Sequence, residues 1–173
     1  MILTGKLISL RAIEPEDLTF LYQSENDESL WAISHTQTPF SRFILKQYLE
    51  NAHLDIFEAK QLRLIIEKKN TKEPIGMIDL FEYNPQHKRA GVGIFIHPDC
   101  QQKGFASESL KLLIEYCCKH LQMHQLYANV SEDNVKSIHL FTKHQFKKVG
   151  IKKDWNFING SFTNEILFQF INE

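Results

Sequence analysis

The sequence predicts an α/β fold: a mixed, mostly antiparallel sheet flanked by helices, forming a single domain over residues 1–173. Three observations predict it. Residues 62–67, 75–83 and 90–97 are strand-like runs separated by the turn signals Asn70-Thr71-Lys72 and Asn84-Pro85, which reads as an antiparallel meander. In residues 104–121, Ala106, Leu110, Leu113, Ile114, Cys117 and Leu121 recur at steps of three and four and fall on one helical face. Between these two patterns, the strand at 90–97 passes through a Pro98-Asp99 break directly into the helix.

Taken in order, residues 7–13 alternate as a strand, and Glu14-Pro15-Glu16-Asp17 supplies proline and acids for the start of a helix running to about Asn26. Residues 41–52 form a second helix with Phe43, Ile44, Tyr48 and Leu49 near one face. Residues 26–39 have no clean period and read as an irregular, substrate-facing connection. After the meander and the long helix come a short strand at 127–130, a helix at 134–144, and a hairpin over 154–170 that turns at Asn159-Gly160. The order is β-α-α-β-β-β-α-β-α-β-β.

Composition narrows the function. With 43 % hydrophobic and 24 % charged residues, 7 Gly and 5 Pro, the chain is an ordinary globular sequence rather than a disordered or collagen-like one. Twenty Lys+Arg against 21 Asp+Glu give a net charge of −1, which argues against bulk attraction to nucleic acid or anionic lipid. No apolar run is long enough for a membrane span, and residues 1–6 lack the pattern of a secretory signal. Cys100, Cys117 and Cys118 cannot all pair, so a reduced, cytoplasmic setting is expected. His120 and His124 stand four apart, but the helix pattern ends near Leu121 and no HExxH or paired-cysteine spacing exists, so no metal site is expected. The expected partner is a small molecule or a protein.

The chemistry is concentrated in Ala90-Gly91-Val92-Gly93-Ile94-Phe95-Ile96-His97-Pro98-Asp99-Cys100-Gln101-Gln102-Lys103-Gly104-Phe105-Ala106. Gly104 permits close backbone approach to a ligand, Ala106 leaves the first helical turn uncrowded, and the free N–H groups of a helix start attract phosphate. A pyrophosphate suits this geometry.

Gln101, Gly104 and Ala106 fill the positions of Gln/Arg-x-x-Gly-x-Gly/Ala, the signature of the GNAT superfamily of acyl-CoA-dependent N-acetyltransferases, which the chain resembles. A second element, Asn134-x-x-Ser137-Ile138-His139-Leu140-Phe141-x-Lys143-x-x-Phe146, is similar to the superfamily's Asn-x-x-Ala-Ile-x-Leu-Tyr-x-Lys-x-Gly-Phe helix. Phe157-Ile158-Asn159-Gly160-Ser161-Phe162 resembles the closing hairpin of the subgroup holding spermidine and ribosomal-protein acetyltransferases. The resemblance implies acetyl-CoA as cosubstrate and a primary amine as acceptor, a polyamine or other small cationic amine being the first candidate. A ribosomal-type protein acetyltransferase and a non-catalytic acyl-CoA-binding module are the alternatives, and a homo-oligomer is compatible with all three. It further implies that the backbone of Ile94, Phe95 and Ile96 pairs with the pantetheine arm, one N–H there facing the thioester oxygen. The N–H groups of Gln101, Gln102, Lys103, Gly104, Phe105, Ala106 and Ser107 would cradle the pyrophosphate. Asn134 would hydrogen-bond the pantetheine arm, though it reads equally as a helix N-cap. Ser137 and Phe141 are placed among the cofactor-facing positions of the same helix, and Lys143 within reach of the phosphates.

The sequence departs from its relatives at two places that matter for the reaction. Phe141 stands where the spermidine branch carries a Tyr thought to protonate the leaving thiolate, and Gly91 stands where relatives often carry a Glu that removes the amine's proton. The nearest replacements are Asp79, Glu82 and Tyr83. Strict alternation puts Asp79 and Tyr83 on one face and Glu82 on the other. Asp79 is the candidate base, the alternative being an acid paired with a surface cation. Asp27, Glu28, Glu50, Asp55 and Glu58 are candidates for lining a groove for a cationic substrate, or are simply solvated helix-surface acids.

Overall fold

The computed structural model describes residues 3–173. β1 (Ile8–Ala12) leads into α1 (Leu18–Glu25), α2 (Trp31–Ser34), α3 (Arg42–Glu50) and α4 (Ile56–Ala59). There follow β2 (Leu62–Lys68), β3 (Pro74–Asn84), β4 (Arg89–Ile96), α5 (Phe105–Lys119), β5 (Gln125–Ser131), α6 (Val135–Lys143), β6 (Lys147–Ile158) and β7 (Ser161–Ile171). The strands form one sheet in the order β1-β2-β3-β4-β5-β7-β6. β4 and β5 pair in parallel, and the other described pairings are antiparallel. No described helix is long and apolar enough to cross a membrane.

Local chemistry sets the element ends. A 3-10 turn over Pro15–Asp17 precedes α1, as proline at a first helical position favours, and the Asp17 carboxylate accepts the Glu14 N–H at 2.8 Å. That carboxylate is held by the Arg11 fork at 2.8 and 2.9 Å, while Arg11 Nε also donates to Glu67 on β2 at 2.6 Å. Ser41 caps α3 by accepting the Ile44 N–H, and Asp55 caps α4 by accepting those of Phe57 and Glu58. α5 is tied to the chain start through Glu108, whose carboxylate accepts the backbone N–H groups of Lys6, Leu7 and Ile8 at 2.8 to 2.9 Å.

Alternation along the strands divides the core into two layers. Ile78, Leu80, Val92, Ile96, Leu126, Ala128 and Val130 face α5, where Leu110, Leu113 and Cys117 are fully buried. Ile65 and Met77 face the opposite way, against Leu21 of α1 and Leu45 of α3, with Phe95 packed alongside. Burial pushes the Cys117 thiol far up, which makes it a core thiol and no nucleophile.

The structure corrects the sequence reading in three places. The stretch expected to be irregular between Asn26 and Pro39 carries a 3-10 turn at Glu28–Leu30 followed by α2. The last hairpin begins at Lys147 rather than Asp154. β6 is the sheet edge and is largely exposed, so its lysines carry no apolar alternation while still charging an otherwise open edge. A bulge between Phe81 and Asn84, with Glu82 at a φ of +50°, reverses the expected faces at the end of β3. Tyr83 turns into the α5 layer, and Glu82 joins the α1 and α3 side.

Candidate functional site

β4 and β5 pair only at Arg89↔Gln125, Ala90↔Leu126 and Gly91↔Tyr127, and then separate although both strands continue. His97 donates its N–H to Ile75 O at 2.8 Å. With the unbroken register from Ile96 to Gly91, this directs the polar groups of Gly91, Gly93 and Phe95 toward β3, and those of Val92, Ile94 and Ile96 toward β5. Beyond Gly91 that side has no strand partner. Ile94 and Ile96 therefore present N–H and C=O groups to a cleft, ready for an extended ligand to add as a strand. Gln101 sits at its mouth, donating from Nε2 to Ile96 O at 3.1 Å and accepting from Lys136 Nζ at 3.1 Å.

α5 starts at the open end of this cleft. Gly104, at a φ of +82°, is its N-cap and no side chain caps it. The N–H groups of Phe105, Ala106 and Ser107 thus point out of a 15-residue helix without intrahelical partners. Gln102 is also left-handed, at +62°, and Lys103 folds back to Asp99 O at 2.9 Å. Ser107 Oγ is hydrogen-bonded to His144 Nε2 at 2.8 Å. His144 lies with Lys111, Ile114, Lys143, Gln145 and Phe170 around a cavity of about 320 Å³ between α5 and the end of α6. Burial first, then Lys143 and Lys111, hold the His144 imidazole below its usual range, so it stays neutral at pH 7. This leaves the two lysines as the cations beside that cavity.

Asn134 does serve as a cap: its Oδ1 accepts the Ser137 N–H at 3.1 Å, leaving Nδ2 as a donor. The Phe141 ring is 3 % exposed and packs edge-on against Phe146 with centroids 5.0 Å apart. It therefore belongs to the core more than to the wall of a cofactor site, because an aromatic ring next to Phe146 gains more from burial than from exposure.

On the α1 and α3 side of the sheet, Asp79 is gripped by Arg63, with Nε and Nη2 at 2.9 and 2.8 Å from its two oxygens. Arg63 Nη1 also donates to Glu25 of α1 at 2.6 Å, and the guanidinium lies 5.7 Å from the centre of the Tyr48 ring. Both oxygens of Asp79 are committed, so the structure gives this residue the ion-paired role instead of that of a free base. Gly91 has no room for an acid. A Cβ there would stand 2.3 Å from the Phe81 ring, which covers the position. Phe81 in turn packs edge-on against Tyr127 at 5.8 Å, and the Tyr127 hydroxyl donates to Glu82. Burial, then the hydrogen bond and charge of Glu82, push the Tyr127 hydroxyl well up, Arg89 pulling weakly the other way. Sequence reasoning weighed Glu82 and missed Tyr127, because a glutamate in a left-handed bulge leaves no mark on the alternation of β3.

Beyond Tyr127 the same face opens into a cavity of about 540 Å³ between α2 and the β6–β7 hairpin, with Glu28, Trp31, His35 and Trp155 in its wall. Of the five acids considered for a cationic groove, Glu28 lines this cavity, whereas Asp27 and Asp55 are spent as caps. Among the described residues, no group of three or more His, Cys, Asp or Glu is arranged to hold a metal ion.

The family model "Acetyltransferase (GNAT) domain" matches residues 8–147. The chain belongs to the GNAT acetyltransferase family. Within GNAT it is 32 % identical over 159 residues to the spermidine N(1)-acetyltransferase of Escherichia coli K12, covering 92 % of this chain and 83 % of that protein. The structure of spermidine N-acetyltransferase from Vibrio cholerae in complex with CoA and spermine superposes with a TM-score of 0.87 at 28 % identity, over 96 % of both chains. A dodecameric structure of spermidine N-acetyltransferase from the same organism gives a TM-score of 0.81 at 29 % identity, over 96 % of this chain and 95 % of that one.

Proposed function

We infer that this GNAT enzyme transfers the acetyl group of acetyl-CoA to a primary amine of a polyamine, and that it works as a homo-oligomer. The observation that carries the reading is the β4–β5 cleft opening onto the uncapped start of α5. An extended amide-bearing arm fits the open edge at Ile94 and Ile96, and a pyrophosphate fits the free N–H groups of Phe105, Ala106 and Ser107 at the helix start. Gln101 must release Ile96 O for the arm to add there, so Gln101 and Lys136 become contacts at the cleft mouth. Asn134 Nδ2 is a donor for an arm carbonyl, while Lys143 with Lys111 suits the outer phosphates. In this placement the Ile94 N–H faces the position where the thioester oxygen gains charge, which stabilises the tetrahedral intermediate.

The charge of the opposite face supports a cationic acceptor. Glu25, Asp79 and Glu82 outnumber Arg63 and Arg89 next to the point where the strands part, and Glu28 with Trp31 and Trp155 lies beyond. The relatives named above favour a polyamine among such amines. The test is thiol release from acetyl-CoA in the presence of spermidine, spermine, single-charge amines, aminoglycosides and peptides bearing free N-termini. Spermidine or spermine should give the highest kcat/KM. A preference for the peptides would move the assignment to protein acetylation, and clear CoA binding with no thiol release by any amine would reduce the protein to a CoA-binding module.

A further inference from the structure

The acetyltransferase reading leaves the acceptor's proton without a destination. An amine with an ordinary pKa near 10 arrives as an ammonium ion and has no nucleophilic lone pair until a proton leaves. Gly91 is filled by the Phe81 ring, both oxygens of Asp79 are held by Arg63, and Phe141 has no ionisable proton. What stands at the parting of the strands is Tyr127. It pairs with Gly91, the last rung of the parallel ladder before the cleft opens. Its side chain lies on the α1 and α3 side, fixed there by the edge-on contact with Phe81. Its hydroxyl donates to Glu82, which the bulge at the end of β3 turns toward it. The charged groups acting on Tyr127 are Glu82 from β3 and Arg89 from β4. Glu82 is itself exposed to solvent.

We propose that Tyr127 and Glu82 form the proton exit for the acceptor amine, Tyr127 receiving the ammonium proton while passing its own to Glu82, which releases it to water. The inference rests on the acetyltransferase reading above. The ammonium N–H bond breaks toward Tyr127 Oη as the Tyr127 O–H bond breaks toward Glu82 Oε2, so the tyrosine ends neutral and the glutamate briefly protonated. The freed lone pair forms the N–C bond at the thioester carbon. When the intermediate collapses, the C–S bond breaks with its electron pair on sulfur, and the second proton on nitrogen passes to the thiolate. One proton thus reaches solvent for each acetyl transferred, and the leaving group needs no acid at Phe141. The bulge has a clear use here: a left-handed glutamate is an unfavourable backbone state, and it is the device that brings a β3 carboxylate to the β5 hydroxyl.

The experiment compares unmodified enzyme, Tyr127→Phe and Glu82→Gln with acetyl-CoA and spermidine from pH 6.5 to 10, together with CoA affinity measured by calorimetry. Both variants should lose about 10²-fold in kcat/KM for the amine near pH 7. The deficit should shrink steadily toward pH 10, where the amine deprotonates in water, with CoA affinity unchanged. Tyr127→Phe keeps the Phe81 contact, and Glu82→Gln keeps the tyrosine, so agreement between the two excludes a folding defect as the cause. A loss below about twofold, or one equal at all pH values, overturns the relay while leaving the acetyltransferase reading intact. Absence of amine acetylation by the unmodified enzyme overturns both.

Discussion

Gly104→Glu tests the phosphate cradle directly, and the structure separates its two effects. Gly104 has a φ of +82°, and a Cβ there would meet only Leu7 Cδ1, at an ordinary 3.7 Å. Within the protein itself the added side chain is therefore not crowded. Any L-residue in this conformation costs about 1–2 kcal/mol, and that cost falls on folding. The carboxylate is a different matter. At roughly 5 Å from a phosphate charge in an effective dielectric of about 20, the repulsion is about 3 kcal/mol for each charge pair, before solvent screening. Allowing for the exposed side chain, about 2–3 kcal/mol survives, which corresponds to roughly 10²-fold weaker CoA binding. Gly104→Ala carries the same backbone strain without the charge, so it should keep more CoA affinity than the glutamate variant while its melting temperature falls like that of the glutamate variant. Titration calorimetry with CoA at two salt concentrations reads this out, the glutamate variant recovering part of its affinity at high salt. If Gly104→Glu binds CoA as the unmodified protein does, the pyrophosphate does not lie at the start of α5.

Three other outcomes follow from the geometry. α6 ends in a Schellman motif, with Phe146 N–H on Phe141 O at 3.0 Å and Gln145 N–H on Thr142 O at 3.1 Å, and places Gln145 at a φ of +67° where glycine is favoured. Gln145→Gly should raise stability by about 1 kcal/mol, or about 2–4 °C in Tm by calorimetry, and a fall in Tm would mean that the Gln145 side chain supplies more than the strain costs. Arg63→Ala strands the carboxylates of Asp79 and Glu25 around a site only 24 % exposed, so chemical denaturation should show a loss of about 3 kcal/mol, and a loss under about 1 kcal/mol would show the cluster to be solvated. Asp17, Glu67 and Glu108 share a pattern in which burial raises the carboxyl and hydrogen bonds more than offset it, from Arg11 for the first two and from three backbone N–H groups for Glu108. Folded pKa values held below the unfolded ones stabilise the protein above about pH 4 and lose that contribution as pH falls through the folded values. Tm should therefore hold from about pH 8 to 5 and drop steeply below about pH 4, and a flat profile down to pH 3 would contradict the assignment.

The parts legible in the sequence are those written in local pattern. The path from β4 into α5 is coded by an apolar strand, a proline break and a glycine within a few residues, so the cleft's edge and the helix start could be located without coordinates. The proton chemistry is coded elsewhere. Asp79 reads as a plausible base until Arg63 and Glu25, distant in the chain, are seen to converge on it. Gly91 looks like a lost acid, but the Phe81 ring lies where the acid would be, a fact about cross-strand packing that alternation cannot express. Glu82 changes face because of a single left-handed residue, and the strand's period gives no sign of it. The lysine-rich start of β6 was missed for the opposite reason: an exposed edge strand needs no apolar alternation, so its absence carries no information.

The near-zero net charge of the chain conceals a division between the two sides of the sheet. On the α5 side, free N–H groups and Lys111 and Lys143 give a field suited to an anion, made largely from backbone and so costing little in formal charge. On the other side Glu25, Asp79 and Glu82 give a field suited to a cation, and Arg63 holds two of the three in place without neutralising the group. The sheet separates the two fields except where β4 and β5 part, and there the backbone offers an opening through which reagents of opposite charge can meet. A bulk excess of either sign would favour one reagent and repel the other. For a reaction between an anionic donor and a cationic acceptor, overall neutrality is the condition under which both sides of the sheet keep their attraction.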